Sequence, residues 1–251
     1  MKTKSYSKKP IKKEIKTLSI IIPCFNEHNK ISKMIAEIQK VPLVAMKKEI
    51  IIVDDFSTDG SRKEIQNLSY DNVKIILHDK NYGKTKALKT AIKEVTGDLI
   101  IIQDADLEYD PFDYQRLVRP FFMGQADVVY GSRFIPGYPR KRTQLLNTLG
   151  NIFMTKLSNL LTGIHLTDIH TCYIMLKAEL AKELFPKLKS DRWGFNVEIL
   201  SKFAKYPKKL NIFEVGISYY GRTKAEGKKI TFKDGIEAIK DIIYYNLFTK
   251  N

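Results

Sequence analysis

Four short apolar runs alternate with segments of helical spacing, and this alternation constrains the fold of the first half of the chain. The runs lie at residues 18–22, 49–53, 73–77 and 99–102. Helical patterns begin near Lys30, Ser61 and Asn81, one after each of the first three runs. Strands and helices that alternate in this way form right-handed β-α-β units on a parallel sheet. The pattern therefore predicts an α/β fold with ligands bound beyond the carboxyl ends of the strands.

The second half of the chain is less regular but has the same kinds of element. Strands are predicted at residues 127–130, 173–176 and 210–215, and helices at 143–161, 178–184, 195–204 and 231–247. The first and last of these helices have an apolar face, which is typical of a helix that packs on a core or lies on a membrane. Because no repeat or long linker separates the elements, we expect a single domain over residues 18–251.

Three acids in five positions follow the fourth apolar run: Asp104, Asp106 and Glu108. A buried strand would deliver them to the carboxyl edge of the sheet, where their carboxylates repel one another unless a cation is present. Mg²⁺ and Mn²⁺ prefer oxygen ligands, and Mg²⁺ is usually held by one or two carboxylates together with substrate phosphates. The acids therefore predict a metal shared with a diphosphate; a solvated acidic loop is the alternative.

A formal net charge of +15 indicates anionic partners, such as phosphorylated substrates, an anionic membrane or nucleic acid. The scattered basic residues and the lack of a nucleic-acid motif argue against nucleic acid. Residues 1–17 hold seven lysines and one glutamate. We expect a disordered arm that either adheres to anionic lipid, at roughly 1 kcal/mol per basic residue, or only aids solubility. No apolar run nears the ~20 residues that span a bilayer, and no signal peptide is visible, so we expect a cytoplasmic protein.

Seven motifs, taken in order, resemble one known family. They lie at residues 20–27 (IIIPCFNE), 52–60 (IVDDFSTDG), 81–84 (NYGK), 103–106 (QDAD), 131–133 (GSR), 167–168 (TD) and 221–229 (GRTKAEGKK). The first four resemble the family-2 glycosyltransferases of the GT-A fold. The later ones narrow the resemblance to the branch of polyprenyl-phosphate (dolichyl-phosphate) mannose and glucose synthases. It covers about residues 18–245, and although each motif alone is weak, the ordered set is specific.

The resemblance implies a nucleotide-diphospho-sugar donor bound by residues 18–130 and an acceptor bound by residues 131–251. By matching positions, the donor would be held by Pro23, Phe25, Glu27, Asp55, Lys84, Asp104, Arg222, Lys228 and Lys229. The resemblance also implies Mg²⁺ or Mn²⁺ held by Asp106 and Glu108, and catalytic roles for Asp106, Asp168 and Arg133. Asp168 would be a general base towards a hydroxyl acceptor. Towards a phosphate, which is already anionic and needs no base, it would be a positioning group.

The chain departs from the pattern of its relatives at three positions. Relatives often have Gln where Glu108 stands, so the extra negative charge would tune the metal. They usually have a second glycine at the position of Thr85 and a basic residue at that of Ile174. The change at Ile174 removes one expected contact with an acceptor phosphate, for which His170 would compensate.

Other motif residues have a structural interpretation beside the functional one. Aspartate is a good turn and N-cap residue, so we expect Asp59 to cap a helix and Asp55 to contact ligand. The turn at residues 81–84 is expected to act mainly as a helix N-cap. Residues 140–142 are either phosphate-binding or a solvated basic run. Phe195 is either part of an acceptor platform or, as is more common, part of the core.

The expected function is inverting, metal-dependent transfer of a hexose from a UDP- or GDP-sugar to a polyprenyl (dolichyl-type) phosphate. Contact with the inner face of an anionic membrane would be peripheral, through the basic arm and the apolar face of helix 143–161 or 231–247. One alternative keeps the fold and donor but has a hydroxyl acceptor in polysaccharide or glycolipid synthesis. Another is a catalytically silent scaffold, against which the intact Asp104 and Asp106 argue.

Overall fold

The structure is a computed structural model that describes residues 14–141, 145–190, 194–222 and 232–249. These residues form seven strands: β1 Thr17–Cys24, β2 Lys47–Asp54, β3 Val73–Leu77, β4 Leu99–Ile102, β5 Val128–Ser132, β6 Ile174–Lys177 and β7 Ile212–Gly216. They also form eight α-helices: α1 Ile31–Lys40, α2 Ser61–Gln66, α3 Lys84–Ala91, α4 Tyr114–Phe122, α5 Leu145–Thr162, α6 Ala178–Leu184, α7 Phe195–Ala204 and α8 Phe232–Leu247. Three short 3₁₀ helices lie at Ile92–Glu94, Pro111–Asp113 and Phe185–Lys187.

The strands belong to one sheet, in the order β3-β2-β1-β4-β6-β5-β7. Neighbouring strands are parallel except for β6, which is antiparallel to both β4 and β5. The predicted α/β class with a mostly parallel central sheet, flanked by helices, is confirmed. Successive residues of β1, β2 and β4 are buried on both faces of the sheet, which explains why these strands read as continuous apolar runs.

The register of the central strands decides which loops meet. Ile20 of β1 lies beside Ile50 of β2 and Ile101 of β4. Because these strands run in the same direction, the loops that follow residues 24, 54 and 102 emerge at the same edge of the sheet. These are the loops that carry the first, second and fourth family motifs.

The predicted bounds of β3, β4, α6 and α7 are confirmed residue for residue. Thr17, which the sequence analysis placed in the basic arm, is instead the first residue of β1. Its N–H donates to the carboxylate of Asp98 at 3.2 Å, which ties the strand to the loop before β4. Residues 14–16 of the predicted arm are described and precede β1. Residues 1–13 lie outside the described residues.

Helix α4 was missed by the sequence analysis. Pro120 lies inside it, and proline ordinarily interrupts a helix because it lacks an N–H and clashes with the preceding turn. The helix nevertheless buries Tyr114, Leu117 and Phe121 against the core. Tertiary burial therefore outweighs the local cost of the proline.

Helix α5 exposes several large apolar side chains, although Met154, Leu157 and Leu161 pack against the core. Thr155 and Ser158 are buried, whereas the exposed large residues are apolar: Leu146, Leu149, Phe153 and Leu160. Helix α8 packs beside α5, and the exposed residues on it and directly after it include Ile243, Tyr244, Leu247 and Phe248. The two helices thus place solvent-facing apolar residues in one region. Among the helices described, none combines the length and apolar character needed to cross a membrane.

Candidate functional site

A tight turn after β4 brings the predicted acids together. The carboxylate of Asp106 accepts the backbone N–H of Glu108 at 3.1 Å, so the side chain of the first residue closes the turn around the second. Leu107, between them, has φ +63°, a left-handed conformation that a bulky residue rarely adopts. Such a conformation costs of order 1–3 kcal/mol and persists only where the surroundings enforce it, often at a functional site.

The guanidinium of Arg222 lies among three carboxylates from separate parts of the chain. Its Nη2 donates to Asp106 Oδ2 at 2.6 Å, and its Nε donates to Glu108 Oε1 at 2.9 Å. Its Nη1 lies 3.4 Å from Glu27 Oε2, in the loop after β1. The arginine therefore supplies positive charge where the sequence analysis predicted a metal.

Both carboxylate oxygens of Glu108 also accept hydrogen bonds from other protein groups. The hydroxyl of Tyr219 donates to Glu108 Oε2 at 2.7 Å, and the N–H of Arg222 donates to Oε1 at 3.1 Å. The backbone N–H of Tyr220 donates to the backbone oxygen of Glu108 at 2.8 Å. Glu108, the predicted metal ligand, therefore anchors residues 219–222.

Two lysines neutralise the other acids of the site. Lys84, the first residue of α3, donates to Asp104 Oδ1 at 2.6 Å, and Lys30 donates to Glu27 Oε2 at 2.7 Å. Burial alone would lower the pKa of Lys84, but the Asp104 carboxylate outweighs it, and the pKa is raised. Four carboxylates thus face three cations, so the site keeps an excess of negative charge.

That excess affects Asp106 most. Burial, and then the nearby carboxylates of Asp104 and Glu108, raise the pKa of Asp106 to about 7, although Arg222 acts in the opposite direction. The carboxylate oxygens are hard donors of the kind that Mg²⁺ and Mn²⁺ prefer. Across the described ranges, however, no three or more His, Cys, Asp or Glu side chains are placed to hold a metal ion. The donor chemistry fits a divalent cation, whereas the positions of the carboxylates are set around Arg222.

The loops after β1 and β2 line the same edge, and the predicted donor-binding residues there differ in exposure. Phe25 is exposed and Pro23 is half-buried. Asp55 is buried, and its carboxylate accepts the N–H groups of Tyr82 and Gly83 at 2.9 and 2.7 Å and lies 2.7 Å from His78 Nδ1. Asp55 therefore fixes the turn before α3, and most of its acceptor capacity is used by the protein.

The two helix caps predicted near this edge have different outcomes. Gly83 is the N-cap of α3, as expected for the turn at residues 81–84. For α2 the predicted cap, Asp59, is wrong by one position, because Gly60 at φ +101° is the N-cap residue. Asp59 still accepts the N–H of Ser61 at 3.0 Å, so it serves the first turn of the helix from one residue further out.

A second arginine–carboxylate pair lies at the end of β5. Arg133 Nε and Nη2 donate to Asp168 Oδ2 and Oδ1 at 2.7 and 2.8 Å, and the N–H of Arg133 donates to Oδ2 at 3.1 Å. Asp168 is 0% exposed. Burial would raise its pKa, but Arg133 outweighs burial and holds the pKa below its usual range. A buried carboxylate of low pKa, with both oxygens bonded, is poorly suited to accept a proton from a substrate.

His170 lies beside this pair. Its backbone oxygen accepts from Arg133 Nη2 at 3.1 Å, and its Nε2 is buried without a hydrogen-bond partner in the structure. Burial lowers the pKa of His170 to about 4; Arg133 adds to this effect and Asp168 opposes it. The imidazole is therefore neutral at physiological pH.

Tyr219 connects the two arginine sites and was not identified from the sequence. Its hydroxyl bonds to Glu108, and its ring lies 5.0 Å from the guanidinium carbon of Arg133. Its backbone pairs with that of Tyr109 and Arg140. The only available signal was its place just before the motif that contains Arg222, and a tyrosine at such a position is not diagnostic.

The remaining predicted residues are divided as follows. Lys228, Lys229 and Arg142 lie outside the described residues. The guanidinium of Arg140 lies 4.5 Å from the centre of the Phe134 ring, so this side chain packs on an aromatic residue. Phe195 is buried against Phe185, so the core interpretation holds for it.

Comparisons with known proteins bear on the family and the fold of this chain. The family model "Glycosyl transferase family 2" matches residues 19–185. A dolichol-phosphate mannosyltransferase of Pyrococcus furiosus is 29% identical over 225 residues, which cover 85% of this chain and 60% of that protein. A dolichyl-phosphate β-glucosyltransferase of Dictyostelium discoideum is 30% identical over 248 residues, which cover 90% of this chain and 72% of that protein. This chain therefore spans less than two thirds of the length of the first of these relatives.

Among solved structures, a similar fold is that of glucosyl-3-phosphoglycerate synthase from Mycobacterium tuberculosis, in complex with Mn²⁺, UDP and glucosyl-3-phosphoglycerate. The TM-score is 0.70 at 16% identity, and the match covers 94% of this chain and 82% of that one. The same enzyme has been solved with Mg²⁺ and UDP, with a TM-score of 0.68. At this identity the likeness concerns the fold.

Proposed function

We propose that this chain, which belongs to glycosyl transferase family 2, transfers a hexose from a UDP- or GDP-sugar to the phosphate of a polyprenyl or dolichyl-type lipid. The observation that carries the proposal is the arrangement at the carboxyl edge of the sheet. Acids suited to a divalent cation lie there beside Arg222, and Tyr219 links them to a second buried arginine, Arg133. The names of the two relatives, one a mannosyl- and one a glucosyltransferase, support the acceptor class and leave the sugar open.

In this proposal the donor lies over the loops after β1, β2 and β4. Its base and ribose would be held by Pro23, Phe25, Glu27 and Asp55, with Lys84 and Asp104 near the ribose and diphosphate. Asp106 and Glu108 would hold Mg²⁺ or Mn²⁺, as expected of oxygen ligands. When bound, the ion supplies Lewis-acid neutralisation of the departing diphosphate. Arg222, with Lys228 and Lys229, would bind the diphosphate oxygens, because guanidinium groups match phosphate geometry.

The acceptor would be bound on the side of Arg133. Asp168 holds the Arg133 guanidinium by two hydrogen bonds, which supports the positioning role of the aspartate rather than the role of a base. A phosphate acceptor needs no base: its oxygen attacks the anomeric carbon as the bond from that carbon to the nucleoside diphosphate breaks, and the configuration inverts. A hydroxyl acceptor would need a group to take its proton. The buried pair therefore favours the phosphate acceptor over the hydroxyl alternative.

The test is transfer of labelled sugar from UDP- and GDP-sugars to a short polyprenyl phosphate, with Mn²⁺, Mg²⁺ or excess chelator. We expect transfer with one nucleotide class, dependent on the cation. The control acceptor is the polyprenol of the same chain length, which has a hydroxyl group in place of the phosphate. If the alcohol were used as well as the phosphate, the hydroxyl alternative would replace the proposal. If neither acceptor received sugar from any donor, the proposed function would be wrong.

Peripheral membrane contact is a further part of the proposal. It is supported by the outward apolar residues of α5 and α8, of which Leu146 and Leu160 are 81% and 79% exposed, and by the net charge of +15. In this proposal the membrane surface is the cytoplasmic one.

This part is tested by flotation with anionic vesicles. We expect the double variant Leu149→Ser/Phe153→Ser to float less than the parent, and Lys240→Gln, a charge change on α8, to have a smaller effect. Equal flotation of the parent and the double variant would assign membrane contact to other parts of the chain.

A further inference from the structure

Arg222 occupies the centre of the predicted cation site. Its three guanidinium nitrogens face Asp106, Glu108 and Glu27 at 2.6, 2.9 and 3.4 Å. The side chains of all four residues are at most 14% exposed. Water therefore screens the carboxylates poorly, and without a cation among them they would repel one another strongly. The guanidinium supplies that cation.

Arg222 and a metal ion would compete for the same carboxylate oxygens. Asp106 Oδ2 and Glu108 Oε1 are the acceptors of the two shortest bonds from the guanidinium. Mg²⁺ lies about 2.0–2.1 Å from its oxygen ligands, so an ion on these oxygens would stand close to the guanidinium, and the two positive charges would repel each other. Binding of the ion is therefore favoured when Arg222 moves away from Asp106.

We propose that Arg222 is a resident counter-ion that the divalent cation displaces, and that the displaced guanidinium then binds the donor diphosphate. The inference rests on the proposed function and adds to it the order of events at that site. The metal alone gains Asp106 and Glu108, whereas Arg222 loses these two partners and keeps Glu27. The metal together with a nucleoside diphosphate gives Arg222 new anionic partners, because guanidinium groups bind phosphate in a forked geometry.

The inference predicts positive coupling between cation and nucleotide. Each ligand tightens the binding of the other, and by thermodynamic linkage the factor is the same in both directions. Movement of Arg222 also involves the segment that carries it, because residues 219, 220 and 222 all bond to Glu108. Cation binding and the position of this segment are therefore one event.

The experiment compares the full-length chain with Arg222→Gln and with Arg119→Gln. Arg119 lies on the exposed side of α4, so its variant loses the same charge away from the site. Binding of MnCl₂ alone is measured by the loss of the free-ion electron paramagnetic resonance signal. Binding is then measured with UDP and, in a second series, with GDP. Circular dichroism and thermal melting establish that each variant is folded.

For Arg222→Gln we expect Mn²⁺ alone to bind about tenfold more tightly than to the parent, which corresponds to about 1.4 kcal/mol. We expect the nucleotide, measured with saturating Mn²⁺, to bind this variant several-fold more weakly than it binds the parent. The coupling factor, by which each ligand tightens the binding of the other, should therefore fall towards one. Arg119→Gln should match the parent in both. The opposite signs are diagnostic, because a variant that merely loosened the site would weaken both ligands.

The outcomes separate the inference from the proposed function. If the parent binds Mn²⁺ with a nucleotide but Arg222→Gln binds Mn²⁺ alone no better than the parent, the counter-ion role is refuted and the proposed donor site stands. If the parent and Arg222→Gln bind Mn²⁺ neither alone nor with either nucleotide, the metal-dependent function fails, and the inference fails with it. If only Arg222→Gln binds Mn²⁺ alone, the inference is supported.

Discussion

The protein contains two arginine–carboxylate sites that differ in how the arginine is held. Arg133 has one acidic partner, Asp168, which contacts it through both oxygens and is fully buried. Arg222 is shared among three carboxylates and lies at the edge of the sheet. The guanidinium of Arg133 cannot leave Asp168 without losing both of its hydrogen bonds to that carboxylate. Arg222 can lose its bond to one carboxylate and keep its bonds to the other two. The first arrangement suits a fixed element of a site and the second suits a group that changes partners.

The largest expected effect is on stability, at the fixed pair. Asp168→Ala leaves the buried charge of Arg133 without its partner, so we expect the free energy of unfolding to fall by about 3–5 kcal/mol. Urea denaturation measures it. The matched control is Glu37→Ala, which removes an exposed partner of Lys40 and should cost less than about 1 kcal/mol.

A double variant tests whether the loss of stability comes from the unpaired charge of Arg133. Replacing both partners, in Arg133→Met/Asp168→Leu, should restore part of the lost stability, because an apolar pair carries no desolvation penalty. Equal losses from Asp168→Ala and Glu37→Ala would mean that breaking the buried pair costs no more than breaking an exposed one, which would contradict the fixed role of the Arg133 pair.

At the shared site the effect should instead fall on activity. Asp106→Ala removes a carboxylate proposed to hold the cation, so we expect sugar transfer to fall by about 10²–10³-fold. The free energy of unfolding should be close to that of the parent, since the change also relieves repulsion with Asp104 and Glu108. Transfer that persisted unchanged in excess chelator would contradict the cation role of this residue.

The most gradual effect, and the smallest per step, concerns the pH dependence of stability near the fixed pair. Burial lowers the pKa of His170 to about 4 in the folded protein, against about 6.5 when unfolded. Between these values the unfolded chain binds more protons, so the contribution of His170 to stability is complete above about pH 6.5. It is lost as the pH falls towards 4, by at most about 1.4 kcal/mol per pH unit.

The measurement is the free energy of unfolding of the parent minus that of His170→Gln, taken from pH 7.5 to 4 in the presence of chelator. The difference should decrease as the pH falls. A difference that is flat across this range would mean that the imidazole is solvated and that its Nε2 is accessible.

The sequence predicted the parts of the site that depend on local pattern and strand direction. The apolar run of β4 and the acids after it lie where expected, because parallel strands deliver their next residues to one edge. The partner of each charge was harder to predict. Arg222 and Asp106 are 116 positions apart, and their contact depends on how the segment after β7 returns over the sheet. The hydrogen bond from Lys30 to Glu27 and the antiparallel direction of β6 depend likewise on tertiary packing.

The role of Asp168 shows the same limit. Its motif marks the residue as part of the site, but the motif does not reveal that Arg133 occupies both carboxylate oxygens. Burial decides between a base and a positioning group, and burial at this position arises from packing around β5 and β7, where Glu214 accepts the N–H groups of Thr167 and Asp168. Sequence pattern identified the residue, and only the fold indicated which of its two roles is supported.

The outward leucines of α5 have a practical consequence for handling the protein. A basic molecule that exposes large aliphatic side chains will adsorb to anionic resins and will self-associate as its concentration rises. Mild detergent or a lipid nanodisc should cover this helix during purification, and a sample without either should show concentration-dependent light scattering.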